Sequence, residues 1–190
     1  MQKLIGGVAA LCALAPSAAQ AANSYSTYHN TRFGYAVLYP SNLVSPRPES
    51  QNGDGRVFKS SDGRATLTVW GENNVFDRSL KAQMTQARLD WSKDKAKVTY
   101  SKMGAGFYVL SGLTGGQVFY EKTVPIRGGF ATMLWQYPRT QKTTYDAAVT
   151  RTTRAFGTSR HVSHNTSAPS DQTKAPRVAL RAPGTNAGGY

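Results

Sequence analysis

Strand-length runs set off by glycine and proline turns, two helical stripes placed among them, and a polar C-terminal stretch predict an α+β protein. Its expected core is an antiparallel β-sheet covered by helices, an α/β/α sandwich, followed by a disordered tail. The 190-residue chain divides into residues 1–21, 22–156 and 157–190.

Residues 1–21 have the make-up of an export leader. Lys3 precedes an apolar run from Leu4 through Leu14, Pro16 interrupts it, and Ala19-Gln20-Ala21 supplies a small-x-small cleavage site. The 11-residue run is shorter than the roughly 20 apolar residues a spanning helix needs. The reading is a cleaved signal peptide, a periplasmic or secreted protein, and not an integral membrane protein. Cys12, the one cysteine, lies inside the run after Leu11 and not at a lipidation site. Its removal excludes disulfides, thiol catalysis and cysteine metal sites from the mature chain.

From Thr27 to Phe156 strand-like runs alternate with turn signals. Tyr35–Tyr39 is a strand ended by Pro40. Residues 41–54 are expected to be irregular because Pro46, Pro48, Asn52 and Gly53 resist regular structure. Arg56–Lys59 and Ala65–Trp70 form a hairpin around Ser61-Asp62-Gly63-Arg64, whose Asp-Gly pair suits positive φ. In the second strand Leu67 and Val69 share one face and Thr66, Thr68 and Trp70 the other. A helix is expected over 77–96, capped by Asp77, with Leu80, Met84, Ala87 and Trp91 on its buried face. Strands Val98–Lys102, Phe107–Leu113, Gln117–Ile126 and Phe130–Tyr137 follow, joined at Gly104, Gly106, Gly115, Gly116 and Arg127-Gly128-Gly129. Thr144 is expected to cap a last helix with Tyr145, Val149, Thr152 and Phe156 as its buried stripe. Adjacent strands with short turns imply antiparallel pairing.

Residues 157–190 are dominated by Ser, Thr, Pro, Ala, Gly and Asn. They hold too little apolar surface to offset chain entropy. The net charge is +13, and only Lys3 leaves with the leader. A basic exported protein favours polyanionic neighbours such as lipid head groups or wall polymers, and nucleic acid is not the expected partner.

No catalytic constellation emerges. His161-x-x-His164 has ligand-like spacing but lies in the tail, and a zinc site needs three or four fixed ligands. His29 lacks a nucleophile elbow or an evident acid partner. Of the carboxylates, Asp54 and Asp62 fall in turn sequences, and Asp77 and Asp146 at expected helix starts. Asn52-Gly53-Asp54-Gly55 continues into a strand, unlike a calcium loop. Tyr100-Ser101-Lys102, Tyr120-Glu121-Lys122 and Trp135-Gln136-Tyr137-Pro138-Arg139 interleave aromatics with cations. On half-buried strands that pattern places aromatics in the core and lysines in solvent. No catalytic, cofactor-binding or metal-binding residue is assigned, and no cofactor is expected.

Several segments together resemble the PsbP-like superfamily: Phe33-Gly34-Tyr35 with Tyr39-Pro40, Asn52-Gly53-Asp54-Gly55, Ser61-Asp62-Gly63, the strand ending at Trp70-Gly71, the helix at 77–96, and Tyr137-Pro138 before a closing helix with Tyr145-Asp146 and Arg154-Ala155-Phe156. The resemblance covers residues 25–156, and the nearest fit is to small exported bacterial members of unknown role. It implies the sandwich described above and a non-catalytic role in binding other proteins. The expected function is therefore an exported accessory protein that docks to a protein or complex of the cell envelope. Two alternatives are an envelope structural protein held by charge to anionic wall or lipid polymers, and an envelope hydrolase working around His29 or the carboxylates.

Overall fold

The computed structural model describes residues 23–158. The leader, residues 159–190 and the two tail histidines lie outside this range, whereas Gly157 and Thr158, expected to begin the tail, form a short strand paired with Ala36 and Tyr35. Ten strands and two helices follow in chain order: β1 (Tyr25–Asn30), β2 (Tyr35–Pro40), β3 (Ser45–Glu49), β4 (Gly55–Lys59), β5 (Thr66–Asn73), α1 (Leu80–Lys93), β6 (Lys97–Gly104), β7 (Phe107–Thr114), β8 (Gln117–Ile126), β9 (Gly129–Pro138), α2 (Lys142–Ala155) and β10 (Gly157–Thr158). The α+β class with antiparallel pairing is as expected, but the strands form two sheets. Seven lie in the order β3-β4-β5-β9-β8-β7-β6, and three in the order β1-β2-β10.

Strand periodicity explains the layering. On β9, Ala131, Met133, Trp135 and Tyr137 alternate into the larger core, which they share with Leu67, Val69, Tyr145, Val149 and Phe156. Leu134 points the other way, into a second core of Trp91, Tyr108, Leu110 and Phe119. Helix α2 and the small sheet therefore cover one face of the large sheet, and α1 covers the opposite face. The helical stripes are as expected: Leu80, Met84, Ala87 and Trp91 all belong to the second core, and Tyr145, Val149, Thr152 and Phe156 are buried.

Four local expectations need correction. Residues 45–49 form a strand despite Pro46 and Pro48. This strand pairs only with β4, at the sheet edge, where a proline costs no interior ladder bond. Helix α1 starts three residues late because Asn74 closes a turn on Arg78, accepting from its N–H and donating to its C=O at 2.9 Å each. Ser79, not Asp77, then caps the helix by accepting from the Ala82 N–H. Thr144 lies inside α2, which a 3₁₀ turn over Arg139–Gln141 leads into without a side-chain cap. In the β4–β5 turn only Gly63 takes a positive φ, +71°, while Asp62 accepts from Ser60 Oγ and the Arg64 N–H.

Neighbouring residues of β8 anchor the two helices. Glu121 is 6% exposed and accepts from Trp91 Nε1 of α1 at 2.7 Å and from the Tyr108 hydroxyl at 2.9 Å. Lys122 points to the other face, where its Nζ donates to the carbonyls of Thr153 and Phe156 at the end of α2, at 2.8 and 2.9 Å. It also lies over the rings of Phe107 and Phe156. The cation meets the negative pole of the helix dipole there. The expectation of a solvent lysine at this position is overturned.

Both charges oppose their burial. Desolvation raises the Glu121 carboxyl above its ordinary 4.5 and pushes the Lys122 ammonium down to about 8. A group with a raised folded pKa adds stability below its unfolded value and loses it as pH climbs through the folded one. Acidification toward pH 4.5 should therefore stabilise the fold through Glu121. Urea titrations across this range should show that slope shrink in Glu121→Gln. Glu121→Leu, which strands two buried donors, should lose about 1–3 kcal/mol or more. Between about 8 and 10.5 the unfolded chain binds more protons at Lys122 than the folded one, so stability should rise with pH there. Lys122→Met should remove that rise.

Candidate functional site

A groove of about 570 Å³ lies between α2 and the β6–β7–β8 part of the large sheet. It arises because α2 packs on β2, β9 and β8, which leaves the outer strands of that face without a helix above them. Tyr100 and Tyr120 line its floor with Leu113 and Val118, and α2 forms the wall with Val149 and Thr150. Arg139 and Lys142 stand at the end where the 3₁₀ turn enters α2.

Tyrosines give this groove its character. Tyr100 is 48% exposed, which corrects the expectation that the interleaved aromatics are core residues. Tyr120 is half-buried, and burial raises its phenol, with the neighbouring Tyr100 adding to the effect. Tyr137 is raised by burial first and by Asp146 second, so these rings present neutral hydroxyls. Asp146 lies within α2 and not at its start. It accepts from the Tyr137 hydroxyl at 3.3 Å and pairs with Lys142 one turn earlier. The groove thus combines an apolar floor, tyrosine hydroxyls and, at one end, Arg139 and the Lys142–Asp146 pair. Tyrosine supplies large contact area with a polar tip.

A second cleft of about 350 Å³ lies between α1 and the sheet. Glu72, Asp90, Asp94 and Glu121 line it, and desolvation raises the carboxyl of Glu72 as well as that of Glu121. Structural bonds account for the two glutamates: Gln83 donates to Glu72 at 2.7 Å, and Glu121 holds Trp91 and Tyr108. The remaining glutamate, Glu49, accepts from the Tyr28 hydroxyl and faces Arg56 at 3.7 Å.

The other residues weighed from the sequence are dispersed. His29 is exposed on β1. Asp54 accepts from Ser50 Oγ and Asn52 Nδ2, and these bonds lower its carboxyl. Asn30 reaches the same loop by donating to the Gly53 carbonyl, so Asn52-Gly53-Asp54-Gly55 is a tied turn. Among the described residues no group of three His, Asp or Glu side chains is placed to hold a metal.

The Lys142–Asp146 pair is exposed on both sides, 58% and 46%. Exposed i,i+4 pairs contribute about 0.3–0.5 kcal/mol. Lys142→Ala should therefore change the unfolding midpoint only slightly while removing one cation from the groove mouth, which chemical denaturation will check.

Comparison with known proteins bears on the fold. No family profile matches the chain, and no curated protein matches it in sequence. Among solved structures, it is similar to cyanobacterial PsbP (CyanoP) from Synechocystis sp. PCC 6803, with a TM-score of 0.54 and 17% identity, covering 76% of this chain and 98% of that one. A Pseudomonas aeruginosa protein of unknown function, PA94, gives a TM-score of 0.39 at 9% identity over 67% of this chain and 92% of its own. The first likeness shows a PsbP-like fold.

Proposed function

We propose that this protein is an exported, non-catalytic accessory protein of the bacterial cell envelope, which docks a segment of a protein partner in the α2–sheet groove. The observation that carries this reading is the groove itself: a tyrosine-floored channel with Arg139 and Lys142 at one end. Two further features support it. The glutamates and most aspartates of the described residues are held by structural partners. The strand bordering the groove, β6, is the open edge of the large sheet, so an extended segment entering there can add backbone hydrogen bonds to side-chain contacts.

The leader composition supports a periplasmic or secreted location. Among the described residues no helix is long and apolar enough to cross a membrane. The alternative, retention by charge on anionic polymers, rests on the net charge of +13. It differs in mechanism, because contacts between exposed charges are screened beyond about 8–10 Å at physiological salt.

A photo-reactive residue at Tyr100 should cross-link in cells to one dominant protein. The same residue at Arg47, on the opposite sheet edge, should not. The product should survive truncation after Thr158, which keeps β10 intact, and fall several-fold with Arg139→Ala plus Leu113→Asp. Capture that vanishes with the tail or in moderate salt would favour the charge-held reading. Turnover of a defined substrate by the purified protein, abolished by one side-chain change, would overturn the non-catalytic one.

A further inference from the structure

We propose that the loop between β5 and α1 is a membrane-contact finger that seats Val75 and Phe76 in the surface of an anionic phospholipid bilayer. Val75 is 75% exposed and Phe76 71%, the two most exposed large apolar side chains among the described residues. They are adjacent, and a clamp holds them outward. Asn74 bonds Arg78 through both ends of its amide at 2.9 Å. The Asn74 N–H donates to the Gly128 carbonyl at 3.0 Å and the Asp77 N–H to the Asn74 carbonyl at 3.2 Å. Asp77 adopts φ +48° to close the turn, a conformation in which side chains other than glycine are uncommon. Ser79 fixes the exit by capping α1.

The surroundings are cationic. Arg78 lies over the Phe76 ring at 4.7 Å. Lys81 is exposed in the first turn of α1, and Arg127 is exposed beside Gly128, to which the loop is tied. Asp77 is the one acidic residue in the loop itself, and Glu72 and Asp90 interact with Arg78 from outside it, so the excess of cations around the tip comes from Lys81 and Arg127. Two apolar side chains on a turn offer far less area than the roughly 800 Å² each partner contributes to a stable protein interface. A polysaccharide or a free phosphate gives the apolar pair nothing to enter. An aromatic and an aliphatic tip flanked by cations matches the boundary between acyl chains and anionic head groups.

The test is flotation of the chain from residue 22, the form expected after leader removal, with phosphatidylglycerol-rich vesicles and with phosphatidylcholine vesicles. The expected result is preferential flotation with the anionic vesicles and a drop of about tenfold or more in bound fraction for Val75→Ser plus Phe76→Ser, since each loses an apolar side chain from the bilayer. Both side chains are exposed, so an unchanged unfolding midpoint will confirm that the variant is folded. Brominated acyl chains should quench Phe76→Trp fluorescence beyond the wild-type background. The proposal is overturned if flotation is absent. It is also overturned if flotation is unaffected by the double substitution, or is lost only on removing Arg78, Lys81 and Arg127 charges with no bromolipid quenching. A photo-reactive residue at position 76 that captures a protein and no lipid would overturn it as well.

Discussion

Glu121 and Lys122 impose the constraint on which the layers depend. They are neighbours in one strand, so the pleat sends them to opposite faces. Each finds a partner on a different helix. Glu121 meets the Trp91 N–H of α1, and Lys122 meets the terminal carbonyls of α2. Neither charge is comfortable in its site, as the direction of both pKa shifts shows. Their contribution lies in specificity. A slip of one residue in β8 would turn the carboxylate toward carbonyl oxygens and the ammonium toward an indole N–H. Both meetings are repulsive, so the alternative register is disfavoured from both faces at once.

The groove follows from dimensions. Seven strands spaced about 4.8 Å apart span roughly 29 Å, whereas a helix with its side chains is about 10 Å across. One helix cannot roof such a sheet. On the α2 side the three-stranded sheet helps cover the strands near β4, with Tyr28 set edge-on to Phe58 at 6.0 Å. Strands β6 and β7 are left to the groove. On the other side α1 packs over β6 and β7, and Trp91 stacks on Phe119 with ring centroids 3.9 Å apart. The two helices are thus offset, and they overlap across β8.

The parts of this arrangement that recur along the chain were legible in the sequence. Both helical stripes, the hairpins and the alternation of Leu67 and Val69 with Trp70 depend on spacing alone. Interactions that cross the fold were not legible. Nothing near Lys122 indicates that a helix 31 residues later will end above it, and Tyr100 differs from a core tyrosine only because its strand is at an edge. Asp77 and Ser79 are both acceptable caps, and the choice between them is made by the Asn74 amide. Ser79 was still findable, since it directly precedes the first position of the apolar stripe.

The two margins of the large sheet differ, and this limits how the protein can associate. The β3 margin carries Pro46 and Pro48, which lack the N–H groups a further strand would need. The β6 margin, Lys97–Gly104, contains no proline. A strand arriving at β6 completes the sheet, because the far side cannot serve as a template for another copy. Propagation of the large sheet into a fibre needs two receptive margins, and among the described residues that sheet has one. Strand capture at β6 is therefore a terminating event for this sheet.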